Sequence, residues 1–242
     1  MSLLQGFLPK LIFICRGFRH RHGHGVHSPF VFHLISKVIE SPGYTYYCFN
    51  EINLLRKKFL QSQKLSKKEK AKAITSKNGE LLFRLTNEYK PKDILQIGPS
   101  DGLSILYMTA YAKGLTCKSL QPDSKMTKWV YKRLLYNSVE TWTGDYETNL
   151  PKVLTYMENF DFVYFSAFNE QKDSVQLFTE CAKQTNTNSF FVLHGIHADM
   201  KAYRAWEKVK KHPAVTVSVE LSSLGIVFFN EKLNKQDFII YY

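Results

Sequence analysis

The first third of the chain is written in helical periods, and the remainder in short apolar runs. Ser28-Pro29 opens the first clear element, with a hydroxyl suited to cap a helix and then proline at the first helical position. Phe30, Leu34 and Val38 follow at helical spacing, the apolar face runs to Ile39, and Ser41-Pro42-Gly43 ends it. Residues 50–62 and 78–89 read as amphipathic helices, joined by a looser, lysine-rich Lys64–Ser76. Residues 3–18 are apolar with basic interruptions, a pattern that suits packing against the body or a short interfacial helix.

From residue 92 the pattern changes. Strand-length apolar runs occupy Asp93–Ile97, Cys117–Leu120, Thr141–Thr143, Phe162–Phe165, Phe190–Leu193, Val215–Leu221 and Ile226–Asn230. Helical stretches fall between most of them, near 102–113, 124–137, 146–158, 170–184 and 198–211. Such alternation predicts a mostly parallel sheet with helices on both faces. Only Ser222-Ser-Leu-Gly225 joins the last two runs, a link that permits a hairpin and forbids a parallel crossover, so one strand must be antiparallel. A further apolar piece, Phe238-Ile-Ile-Tyr-Tyr242, closes the sequence.

Composition narrows the class. With 242 residues, 44% apolar and 22% charged, the chain suits one large domain or one domain with an elaborated terminus, and wholesale disorder is excluded. Its longest apolar stretches are well short of the ~20 residues that cross a bilayer. Cys15, Cys48, Cys117 and Cys181 lie far apart with no CxxC pair, which favours free thiols in a reducing compartment. The first ten residues carry no basic segment ahead of their apolar residues and no small-residue cleavage site, so a cytoplasmic location is expected.

Charge divides the chain unevenly. Residues 1–77 hold 14 Lys and Arg against 3 Asp and Glu, while residues 78–242 hold 19 against 18. We therefore read 1–77 as a basic helical extension and 78–242 as the α/β domain. Eight lysines crowd residues 57–77 beside one acid, Glu69. Such a run is usually a solvated face; its functional alternative is contact with nucleic acid or another anionic surface. Scarce arginine and a single aromatic, Phe59, in that run weaken the nucleic-acid alternative.

The segment Ile94-Leu-Gln-Ile-Gly-Pro-Ser-Asp-Gly-Leu-Ser-Ile-Leu-Tyr107 carries the candidate chemistry. A strand enters Gly98, turns tightly, and becomes a helix at Gly102, where small residues let backbone approach a ligand. With Gly144-Asp145 and Phe160-Asp-Phe-Val-Tyr-Phe165 in the same order, this resembles the class I S-adenosylmethionine (SAM)-dependent methyltransferases. The chain is also similar to a group of bacterial methyltransferase-like proteins with a Gly-His-Gly-Val-His-Ser-Pro-Phe-Val segment, here Gly23–Val31. Those proteins share Trp-Glu-x-x-Lys-x-His-Pro-x-Val-Thr and Gly-Ile-Val-Phe-Phe stretches, here Trp206–Thr216 and Gly225–Phe229. The resemblance implies a Rossmann-like α/β fold with a seven-stranded sheet in the order 3-2-1-4-5-7-6, strand 7 antiparallel. It further implies SAM as cofactor, a small-molecule substrate, and a cofactor cleft formed by Gln96, Gly98, Gly102, Gln121, Asp123 and Asp145.

Departures from the family pattern matter as much. Gln96 stands where the first strand normally ends in an acid, and Gln121, with Asp123 close by, where an acid normally takes the ribose hydroxyls. Ser166 follows the fourth strand in place of an aspartate, and His194-Gly195-Ile196-His197 follows the fifth in place of paired carboxylates. A hard divalent cation wants oxygen ligands, so no metal is expected at this edge. His194 is the candidate catalytic base, because imidazole titrates near working pH; the plainer reading is a hydrogen-bonded strand-end histidine. The His20-x-His22-x-His24 series lies in a glycine-containing loop with no fixed helical face and reads as structural rather than metal-binding. Three functions remain open: a SAM-dependent methyltransferase acting on oxygen or nitrogen of a small molecule, a catalytically inactive binding or scaffold protein of the same fold, and, more weakly, a nucleic-acid-associated methyltransferase prompted by the basic N-terminal third.

Overall fold

The computed structural model describes residues 8–11, 13, 26–41, 45–61, 73–99, 102–122, 137–157, 159–168 and 173–242. Asp123, the His20–His24 series, lysines 64–72 and all but the last residue of the helix expected near 124–137 lie outside the described residues.

Helix α1 (Pro29–His33) starts as its sequence dictates, with Ser28 Oγ accepting from the Val31 amide at 3.4 Å and Pro29 in the first turn. From Leu34 to Ile39 it continues as a π-helix, which brings Leu34, Ile35, Val38 and Ile39 all into the interior. Helix α2 (Tyr47–Gln61) and helix α3 (Ser76–Tyr89) follow, the latter capped by Thr75 Oγ1. Arg84 of α3 donates to the carbonyls of Val38 (2.7 Å) and Ile39 (3.4 Å), satisfying the end of α1, and to the Tyr242 hydroxyl (3.0 Å).

Strands and helices then alternate: β1 (Asp93–Ile97), α4 (Leu103–Thr109), β2 (Thr116–Gln121), β3 (Ser138–Thr143), α5 (Tyr146–Thr155), β4 (Phe160–Phe165), α6 (Ser174–Ala182), β5 (Thr185–His194), α7 (Met200–Lys210), β6 (Val217–Glu220), β7 (Leu224–Phe228) and β8 (Gln236–Ile239). The sheet has eight strands in the order β3-β2-β1-β4-β5-β7-β6-β8. The expected order of seven is present with β7 antiparallel to both neighbours, but the count of seven is corrected by β8, which pairs parallel to β6. The first two residues of the closing apolar piece, Phe238 and Ile239, thus enter an edge strand. A turn at Asn230–Leu233 reverses the chain, and the Ser218 hydroxyl donates to Asp237 at 2.6 Å across the new pair.

Strand alternation sorts the side chains into two layers. Ile94, Cys117, Phe162, Tyr164, Phe190, Val192 and Ile226 pack toward α1–α4, whereas Leu95, Ile97, Leu120, Val163, Phe165, Phe191 and Val227 pack toward α5–α7. Val31, Leu34, Phe49 and Ile52 of the N-terminal helices belong to the same buried cluster as the first sheet face. Among the described residues no helix is long and apolar enough to cross a membrane.

Candidate active site

The carboxyl ends of β1, β2, β4 and β5 form one edge, where open α/β sheets bind ligands. Register fixes what that edge presents. Gln96 pairs with Ser119 on one side and Tyr164 on the other, Tyr164 pairs with Val192, and His194 lies two residues beyond Val192. Since side chains alternate along a strand, Gln96, Gln121, Tyr164 and His194 share the face covered by the N-terminal helices. Gln96 and Gln121 are both completely buried.

Glycines shape the turns leaving this edge. Gly98 has φ 113° and Gly102 φ 75°, left-handed values that a side chain resists, and the Gly98 amide donates to the Leu120 carbonyl at 2.9 Å. Ser166 braces the same turn from β4: its amide donates to Ile97 O at 2.9 Å, and its hydroxyl to Pro99 O at 2.6 Å. The residue standing in place of an aspartate is therefore a strut for the glycine turn. After β3, Gly144 has φ 118° and donates to Gln121 O at 3.1 Å. Asp145 is exposed and caps α5, its Oδ2 accepting from the Thr148 amide at 3.2 Å.

His194 is partly buried at the end of β5. Its Nδ1 lies 3.1 Å from the Ser166 carbonyl and 3.4 Å from the Tyr164 hydroxyl. Donation to the carbonyl puts the proton on Nδ1 and leaves the Nε2 lone pair as the basic atom of the neutral ring. Burial pulls the pKa below the ordinary histidine value, and the bond to Ser166 offsets part of this. The ring is thus neutral at pH 7.

His197, three residues on, is a core residue. Its Nδ1 meets the Ser222 carbonyl at 3.1 Å and its Nε2 meets Glu220 Oε1 at 3.0 Å. Glu220 Oε2 also accepts from Trp206 Nε1 (2.8 Å) and Lys210 Nζ (3.1 Å). In the sequence Trp206 and Lys210 stand out only as members of the Trp206–Thr216 stretch, and Glu220 lies outside every motif. A glutamate in the otherwise apolar Val217-Ser-Val-Glu-Leu221 run was the available signal.

The structure thus gathers Gln96, Gly98, Gly102, Gln121 and His194 at one edge, sets Asp145 at the neighbouring helix start, and leaves Asp123 undescribed. Among the described residues no three His, Cys, Asp or Glu side chains form a metal-binding group. Lys57, Lys58 and Lys77 of the basic run are described and exposed.

Strand order, the antiparallel β7 and the glycine turn after β1 give the chain the fold of the class I SAM-dependent methyltransferases. An O-methyltransferase from Bacillus cereus in complex with SAH superposes with a TM-score of 0.58 at 16% identity, covering 79% of this chain and 94% of that one. The SAH-bound methyltransferase PaMTH1 of Podospora anserina gives a TM-score of 0.61 at 12% identity, over 84% and 97% of the two chains. A putative caffeoyl-CoA O-methyltransferase from Staphylococcus aureus gives 0.59 at 17% identity, over 74% and 91%. No family model matches the chain, and no curated protein does.

Proposed function

We propose that the protein is a SAM-dependent methyltransferase acting on an oxygen or nitrogen of a small molecule, with His194 as the base. One observation carries this reading: the positive-φ glycine turn after β1 and a histidine with a basic Nε2 occupy the same sheet edge. The SAH-bound and SAM-bound states of similarly folded proteins support the choice of cofactor.

The residues fit SAM largely through neutral groups. Gly98 and Gly102 let backbone amides approach the methionine end, and the start of α4 favours its carboxylate. The amides of Gln96 and Gln121 offer both donors and acceptors, where charged acceptors are usual. Asp123, or Gln121, would take the ribose, and Asp145 with Tyr146 would border the adenine. SAM supplies an activated methyl group. The chain's own contribution is alignment, which matters more to such a transfer than elaborate acid–base chemistry. His194 Nε2 receives the acceptor's proton while Nδ1 holds Ser166. The reading is metal-independent, because Ser166 and His194-Gly195 stand where carboxylates would be needed.

Neutral Gln96 and Gln121 favour a second reading, a binding protein that no longer transfers methyl groups. Methyl-labelled SAM offered with a panel of phenols and amines separates the two. Transfer by the wild type, a fall of ~100-fold or more in His194→Asn, and unchanged SAH affinity support the base. Equal transfer by the variant removes His194 from the chemistry, and SAH binding without transfer to any acceptor leaves the second reading.

A further inference from the structure

We infer that His197 is a positioning residue: by bridging Ser222 and Glu220 it fixes the turn that holds His194 at the sheet edge. This rests on the reading of His194 as the base. Only Gly195 and Ile196 separate the two histidines. The turn crosses from β5 to α7 with Gly195 at φ 89°, and the Gly195 amide donates to Ser223 O at 2.8 Å. His197 makes the second attachment to the same β6–β7 hairpin, through Ser222 O and Glu220 Oε1. That hairpin carries β7, whose Leu224 pairs with His194 itself. On the other side, the Phe168 amide donates to His194 O at 2.9 Å. His194 is therefore gripped between the β4 turn and the β6–β7 turn, and His197 is the side chain that closes the second grip.

The chemistry of the clamp is specific. Both partners of the ring are acceptors, so both His197 nitrogens must carry hydrogens for the two bonds to coexist. Glu220 supplies the matching charge, with side-chain exposure of 1% for each member of the pair. Its other oxygen is occupied by Trp206 from α7 and by Lys210, which also meets Glu207 at 2.6 Å. Phe13 at 5.1 Å and Tyr203 at 5.9 Å, ring centre to ring centre, set the plane of the imidazole. A buried ion pair is a poor device for stability alone, since apolar residues of similar size usually serve as well or better. Its distinctive property is directional fixing, here three residues from the proposed base.

The test is a histidine titration by NMR on the ligand-free full chain, comparing wild type, His197→Asn and Trp206→Phe. His197→Asn removes the Glu220 bond; the freed turn lets His194 gain water, and its midpoint rises from the depressed wild-type value toward the ordinary value of about 6.5. Trp206→Phe removes a different bond to the same carboxylate, so it should lower the melting temperature and leave the His194 midpoint in place. An unmoved midpoint in a folded His197→Asn overturns the inference, as does an equal shift in both variants. Should His197→Asn fail to fold, the wild type still decides. Both ring N–H protons of His197 must be protected from exchange, and their rapid exchange overturns the clamp. No cofactor enters the titration, so a failure to bind SAM leaves its outcome intact.

Discussion

Glu220 lies inside the molecule with 1% of its surface exposed, and its ionisation is bound up with folding. Burial alone would raise its pKa, but hydrogen bonds from His197 and Trp206 and the charge of Lys210 outweigh this and bring it from 4.5 to about 2. A folded-state pKa below the unfolded value contributes stability that is complete above the unfolded value and is lost as pH falls through the folded one. Urea midpoints should therefore fall between about pH 5 and pH 2, and Glu220→Gln, less stable at neutral pH, should show a flatter fall across that window. Identical slopes would mean that the carboxylate is not held as described. Residues of this kind are hard to read in one dimension, because the partners of Glu220 lie 10, 14 and 23 positions away. The sheet-edge placement of Gln96, Gln121 and His194 was legible because each lies at or next to the end of an apolar run. What the sequence could not show was that Ser166 would brace the glycine turn, since that needs β4 beside β1.

Elements follow the hydrophobic pattern where both faces are buried, and depart from it at edges. The bounds of β1 match the apolar run at Asp93–Ile97, whereas β3 begins at Ser138, three residues before its apolar run. As an edge strand it alternates exposed and half-buried positions, which weakens the signal. For β8 the polar Gln236 and Asp237 obscure the strand start. Helix α1 starts at its capping signal, yet the widening to a π-helix from Leu34 is invisible to a 3.6-residue period. Packing between elements yields a sharp expectation at Gly225 of β7, where an added Cβ would sit 2.5 Å from the Trp206 ring of α7. Gly225→Ala should destabilise the fold by about 1–3 kcal/mol, read from urea denaturation. A neutral substitution would show that Trp206 shifts freely and that the α7–β7 contact is loose.

At the scale of the whole molecule, the helices of the basic stretch before residue 77 pack their apolar residues against the sheet. Val31, Leu34, Ile35 and Val38 share a buried cluster with Phe162, Phe190 and Phe228 of the sheet, and Arg84 ties α1 to α3 and to Tyr242. The basic residues mark the solvent side of these helices, as exposed Lys57 and Lys58 do on α2, while their apolar residues complete the core. A chain lacking residues 1–72 should expose that sheet face and lose its cooperative thermal transition, or aggregate. A truncated chain that melts as sharply and as high as the full one would make the N-terminal helices a dispensable extension.

Isothermal titration of the full chain with SAM tests the central claim most directly, because every proposed role of the sheet edge begins with cofactor binding. We expect saturable heat with a dissociation constant in the micromolar range, the two glutamines offering the cofactor no charged acceptor. No heat at millimolar SAM, from protein shown to be folded in the same cell, would contradict the account.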